Sequence, residues 1–163
     1  YKVLLNKIFQ NKVKNEYNVQ FVEMNSGSEE WGIGDSMVRL TRHDWLRLAK
    51  AMMDDYQNDT CVGNYLKEIH KRRIPKNLGG DKDEPEFNLT YTYGGQFHFD
   101  YPGLKNRVVF GLGGRGGNAI LIDVENSRIV VINSIHYNDG KYKYNVKKLL
   151  IDPIKNGRWN RAK

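Results

Sequence analysis

Cysteine is nearly absent: Cys61 is the single one in 163 residues. That excludes an intrachain disulfide framework and a thiolate zinc site. A lone Cys beside an apolar helical pattern reads as a small buried residue rather than a reactive thiol. No apolar run approaches the roughly 18 residues of a membrane-spanning helix, so no membrane partner is expected. A continuous basic stripe is also missing. The net charge is +7, but Lys and Arg are scattered, with the densest groups at Lys71-Arg72-Arg73 and at Lys155, Arg158, Arg161 and Lys163. These read as solvated faces, not as a nucleic-acid footprint. His43, His70, His98 and His136 share no ligand spacing, and Asp81, Asp83, Glu84 and Glu86 lack the Gly and terminal Glu of a calcium loop. No metal and no cofactor is therefore expected. What the chain does have is 39% hydrophobic and 12% aromatic residues, enough for a packed core in one domain.

The order of patterns predicts an α+β arrangement: a helical part over residues 1–75, then strands and a terminal helix over 87–155. Val3, Leu4, Ile8 and Phe9 recur at helical spacing in "YKVLLNKIFQNKVKNEY". Residues 24–35, around Trp31, read as a loop. In "TRHDWLRLAKAMMDDY", Thr41 and Asp44 form a capping-box pattern, and Trp45, Leu48, Ala49, Met52, Met53 and Tyr56 share one helix face. A second helix is expected over 62–72 with Val62, Tyr65, Leu66 and Ile69 inward, ending at Pro75 and an acidic loop. Then the period changes. "FNLTYTYGGQFHF", "NRVVFGLG", "NAILIDV" and "RIVVINSIHY" are rich in β-branched and aromatic residues, and Glu125-Asn126-Ser127 makes a tight hairpin between the last two. In "YNVKKLLIDPI", Val146, Leu149 and Leu150 point inward on a helix that Pro153 kinks or ends.

Gly111, Gly113 and Gly116 spell G-x-G-x-x-G after a short apolar run. A dinucleotide loop would have to open a helix and be followed, about 20 residues on, by an acidic residue. Here a strand and a hairpin follow, and Asn133 and Ser134 lie near the acidic position, so the context fails. Two readings of the glycines remain: a bulge at the sheet edge, or a strand whose bare backbone admits a substrate or a developing oxyanion. Arg115 is either a clamp for an acidic substrate group or a solvent-facing cation. Tyr93, Phe97 and His98, on the preceding strand, form either an aromatic substrate wall or sheet-face packing.

Four segments, "KIFQNKVKNEYNVQFVEMNSGSEEWG", "GDSMVRLTRHDWLRLAKAMMDDY", "YTYGGQFHF" and "FGLGGRGGNAILIDVENSRIVVINS", follow one another along the chain. In that order they resemble segments of the serine beta-lactamase-like hydrolases, a superfamily of class C beta-lactamases, DD-peptidases, esterases and 6-aminohexanoate-dimer hydrolases. The resemblance implies an antiparallel sheet flanked by helices, the C-terminal portion of the beta-lactamase/transpeptidase-like fold. It places the family's third motif on Gly111-Leu112-Gly113 and makes Gly114 a backbone N–H donor to an oxyanion hole. With this motif Gly113 and Leu112, together with Arg115, Tyr93 and His98 from the residue readings above, are expected to line a site for a small amide or ester. Leu112 stands where lactamases and peptidases carry a polar residue, which favours an esterase or amide hydrolase. None of Ser26, Ser28, Ser36, Ser127 and Ser134 has Lys three places on. The Ser-x-x-Lys nucleophile is thus expected in a missing N-terminal part of the same protein, and this chain alone is expected to be inert. The alternative is a non-catalytic basic module that pairs a peptide or contacts nucleic acid along its Gly-rich strand edge.

Overall fold

The computed structural model describes residues 2–15, 20–23, 36–76, 90–104, 106–114, 118–132 and 147–158. The backbone divides into two compact units, Tyr1–Ala51 and Met52–Lys163.

In the first unit, α1 (Lys2–Ile8) runs into a π-helical turn, Phe9–Val13, which ends where Lys14 turns left-handed at φ 59°. The predicted apolar spacing does form a helix, but Val3, Leu4 and Ile8 are exposed, and among the described side chains of this stretch only Val13 is buried. A short antiparallel pair, β1 (Gln20–Glu23) and β2 (Ser36–Arg39), lies where no strands were expected. The loop around Trp31 falls outside the described residues. α2 (Arg42–Gln57) begins at the expected cap, with the Asp44 N–H donating to Thr41 Oγ1 at 3.1 Å. The Asp44 carboxylate, buried, accepts from Arg47 at 2.8 Å.

In the second unit, α3 (Cys61–Lys71) is capped by Thr60, whose Oγ1 accepts from the Gly63 N–H at 3.1 Å and donates to Asp55 Oδ1 at 2.7 Å. The predicted inward face needs correction: Leu66 is buried, but Val62 and Tyr65 are 43% and 63% exposed. The close approach is made by Gly63, where a Cβ would lie 1.8 Å from the Asp55 carbonyl oxygen. Crossing at a glycine rotates the helix, so positions 62 and 65 turn outward. Cys61, at the helix start, is exposed rather than buried.

Six strands follow in an antiparallel meander, each paired with the next: β3 (Ile74–Pro75), β4 (Thr92–Gly94), β5 (Phe97–Phe99), β6 (Val109–Gly114), β7 (Asn118–Asp123) and β8 (Arg128–Ile132). "TYGGQFHF" is therefore not one strand. Gly95 and Gln96, at φ 54° and 71°, form a two-residue turn that pairs Tyr93 with His98. Two central residues of positive φ match the right-handed twist of a hairpin. The β7–β8 turn forms where Glu125-Asn126-Ser127 was expected. It is organised by Asp123, fully buried, which accepts from Arg107 at 3.0 Å and from the Asn126 N–H and side-chain amide at 3.0–3.1 Å.

Strand alternation gives the sheet two apolar faces. On one, Phe97, Phe99 and Phe110 cluster with Tyr56 of α2 and His70 of α3 at ring separations of 5.2–6.4 Å. On the other, Val109 and Leu121, with Tyr101 and Leu104, pack on Leu150, Ile151 and Ile154. Full burial of each large side chain contributes about 2–3 kcal/mol. Pro153 does not end the last helix. A π-helical turn, Lys147–Ile151, leads into α4 (Asp152–Asn156), and Pro153 sits in its first turn, where no intrahelical N–H bond is lost. Gly157 at φ 67° closes it, and Arg128 donates to the carbonyls of Ile154 and Lys155 at 2.7 and 2.8 Å. The fold is thus α+β, an antiparallel sheet with helices on both faces.

Candidate functional site

The glycines of β6 differ in what surrounds them. At Gly111 a Cβ would meet the Tyr101 hydroxyl at 2.2 Å, the Ile120 carbonyl oxygen at 2.6 Å and Leu121 at 3.0 Å. Gly111 is therefore bare so that a buried tyrosine can lie across the strand. At Gly113, among the described residues, nothing stands closer than His98 Nε2, at 3.7 Å, an ordinary contact distance. That glycine is exposed.

Pairing also changes along the strand. β6 pairs with β7 throughout, from Val109 with Asp123 to Gly114 with Asn118. On its other side the β5 pairs stop at His98 with Gly111. Among the described residues, no strand pairs with residues 112–114 on the β5 side. Among the described residues the end of β6 is thus unpaired on that side, and on such an edge alternate backbone groups are left for a partner.

Of the expected site residues, the structure brings together Tyr93, His98 and Gly113. Tyr93 and His98 are direct cross-strand neighbours, their rings 5.0 Å apart and edge to face. The Tyr93 hydroxyl donates to Gln96 Oε1 at 2.7 Å. His98 lies on the same face as Gly113 and leans toward it. Leu112 is set apart: it pairs with Ile120, and alternation puts it on the opposite face, with Phe110 and Phe97. Gly114 ends the strand. Arg115 lies outside the described residues, as do His136 and the acidic cluster Asp81, Asp83, Glu84 and Glu86. No group of three His, Cys, Asp or Glu that could hold a metal occurs among the described residues.

Two further residues complete the corner, and neither was anticipated. Lys76, just after β3, donates its Nζ to Thr90 Oγ1, and Thr90 Oγ1 lies 3.4 Å from His98 Nδ1. Thr90 is 3% exposed. Burial, then the Lys76 charge, push the His98 imidazole down to about 4, so the ring is neutral at pH 7. Burial also lowers the Lys76 ammonium from its ordinary value. Reading "TYGGQFHF" as a hairpin about its Gly-Gln pair would have set Tyr93 against His98. Nothing local could have joined Lys76 to Thr90, because their contact depends on β3 docking against β4.

A clamp holds this corner against α3. Arg73 forks onto Asp100 at 2.7 and 3.2 Å and donates to the His70 carbonyl at 2.6 Å, and Thr92 donates to Asp100 at 2.6 Å. Arg73 is thus a structural partner rather than part of a solvated basic face. Burial pulls the Asp100 carboxyl upward, but the hydrogen bonds from Arg73 and Thr92 and the Arg73 charge outweigh it and hold the group below the usual carboxylate range. Asp100 itself is left-handed at φ 55°. This irregularity interrupts the strand alternation, so Asp100 reaches α3 while Tyr101 enters the opposite core. Compared with profiles of known families, with curated proteins and with solved structures, the chain matches none.

Proposed function

We propose that this chain is the C-terminal portion of a serine hydrolase of the beta-lactamase-like superfamily, acting on an amide or ester bond, with the open end of β6 as its oxyanion strand. The observation that carries the reading is Gly113: exposed, with only His98 in contact range of the place of a side chain among the described residues, on a strand whose end is unpaired on one side among the described residues. A glycine with so little packed against it there, at the end of a strand otherwise built into the sheet, suits close approach of a ligand to the backbone. Along β6 the hydrogen-bonded pairs with β7 alternate from Val108 with Val124 to Gly114 with Asn118, so the N–H directed to the unpaired side is that of Gly113, and it is this group that then stabilises a developing oxyanion. Supporting the same reading, the hairpin order of β6, β7 and β8 follows the order of the resembling motifs. In the complete enzyme a serine of a Ser-x-x-Lys motif, supplied from outside this chain, attacks the acyl carbon. A Lys and a Tyr move its proton.

The test is acylation. The chain alone, treated with a serine-reactive acyl probe, is expected to take no label. The same chain produced together with the segment encoded upstream is expected to be labelled once, on a Ser-x-x-Lys serine. Labelling of Ser36 or Ser127, or an upstream gene segment without that motif, overturns the proposal. Steep salt-dependent binding to DNA would put the basic binding module in its place.

A further inference from the structure

The corner of Lys76, Thr90 and His98 has a directional hydrogen-bond logic. An ammonium only donates, so Lys76 makes Thr90 Oγ1 an acceptor. The hydroxyl still has a proton to place. Among the described residues the acceptor offered to it is His98 Nδ1, at 3.4 Å. A ring that accepts at Nδ1 and is neutral carries its proton on Nε2. Nε2 is the His98 atom nearest the vacant side-chain position of Gly113, at 3.7 Å. The ring is steadied by the edge-to-face contact with Tyr93.

We infer that Lys76 and Thr90 hold His98 as a neutral hydrogen-bond donor, its Nε2–H directed over Gly113, where it binds the acyl oxygen of a ligand lying along the open end of β6. The ligand class rests on the hydrolase reading; the tautomer does not. His98 is then a binding group, and Thr90 and Lys76 are positioning residues that act through it. The low proton affinity of the buried ring keeps it a neutral donor across the neutral pH range. A neutral Nε2–H can donate to a carbonyl or to a carboxylate oxygen, so the shared chemistry is an acyl oxygen.

The inference is tested on the full chain by NMR. A long-range 1H–15N spectrum at pH 7 is expected to show His98 neutral and protonated on Nε2. Thr90→Val is expected to shift the proton toward Nδ1 and Thr90→Ser to restore it, with the amide spectrum reporting that each variant is folded. Titration with N-acetyl-6-aminohexanoic acid and with its N-methylamide is expected to move the His98 Nε2 resonance and the Gly113 and Gly114 amides. Binding of both probes assigns the carbonyl as the acceptor; binding of the acid alone assigns the carboxylate. His98→Phe is expected to weaken binding at least tenfold. His98→Gln, whose amide N–H can stand in for Nε2–H, is expected to recover most of it. A wild-type proton on Nδ1, binding of neither probe, or a His98→Phe variant that binds like wild type overturns the inference. None of these readouts needs the nucleophile. Full-length protein that binds the probes but takes no acyl label would sink the hydrolase reading and leave His98 in its role.

Discussion

At the scale of single residues, the glycines divide by what occupies the place of a missing side chain. Gly63→Ala drives a methyl to 1.8 Å from the Asp55 carbonyl and is expected to cost about 3 kcal/mol or more, read as a lower urea midpoint at unchanged slope. Gly111→Ala meets the Tyr101 hydroxyl and the Ile120 carbonyl. Combining it with Tyr101→Phe removes the first obstacle and not the second, so a double-mutant cycle is expected to show partial rescue. Gly113→Ala, in open space, is expected to change stability by less than about 0.5 kcal/mol. On the proposed hydrolase reading, Gly113→Val in the full-length protein is expected to keep the fold while hydrolysis falls on the order of 100-fold, because the side chain fills the approach to the backbone. If Gly113→Val loses stability and activity together, the open-space argument fails. The G-x-G spelling was legible in the sequence; that Gly111 answers to Tyr101, and Gly113 among the described residues to His98 alone, was not.

At the scale of elements, the local signals that carried furthest were caps and turns, because their chemistry is complete within a few residues. Thr41 caps α2 as its spacing predicts, and the β7–β8 turn forms where Glu125-Asn126-Ser127 predicts it. Thr60→Ala removes both the α3 cap and the bond to buried Asp55, with an expected loss of about 1–2 kcal/mol by chemical denaturation. Asp123→Ala leaves the half-buried Arg107 and the Asn126 amides without their acceptor. A loss of about 3 kcal/mol is expected, and Asp123→Asn should recover part of it. One element reading failed for a reason outside the element: the inward face of α3 is turned by the contact at Gly63. Of the two outcomes expected at Pro153, a kink or an end, the end does not occur, since a π-helical turn runs into α4 across it.

At the scale of the molecule, the buried titratable groups set how stability follows pH. The His98 pKa falls from an ordinary 6.5 to about 4 on folding, and burial and Arg73 lower His70 in the same sense, against the opposing Asp100. The unfolded chain then binds more protons than the native one between pH 6.5 and about 4. Stability is complete above 6.5 and declines as pH falls through that window, by less than about 1.4 kcal/mol per unit for each group, since both rings are partly exposed. Asp100, held below the carboxylate range, adds stability that is lost at still lower pH, as the carboxyl takes up its proton. Urea midpoints from pH 8 to pH 3 should therefore fall from about pH 6.5 downward, and His98→Gln should flatten part of the upper limb; a midpoint that rises on acidification would contradict the sign. The sequence by itself determined the α+β order, the strand-rich second half and several caps and turns, because periodicity and turn chemistry act over neighbouring residues. Only the tertiary structure decided which glycine is packed and which is open, and only it joined Lys76 and Thr90 to His98 beside Gly113. Those relations hold between residues distant in the chain, and strand pairing, with the packing of helices on the sheet, brings such residues within bonding distance.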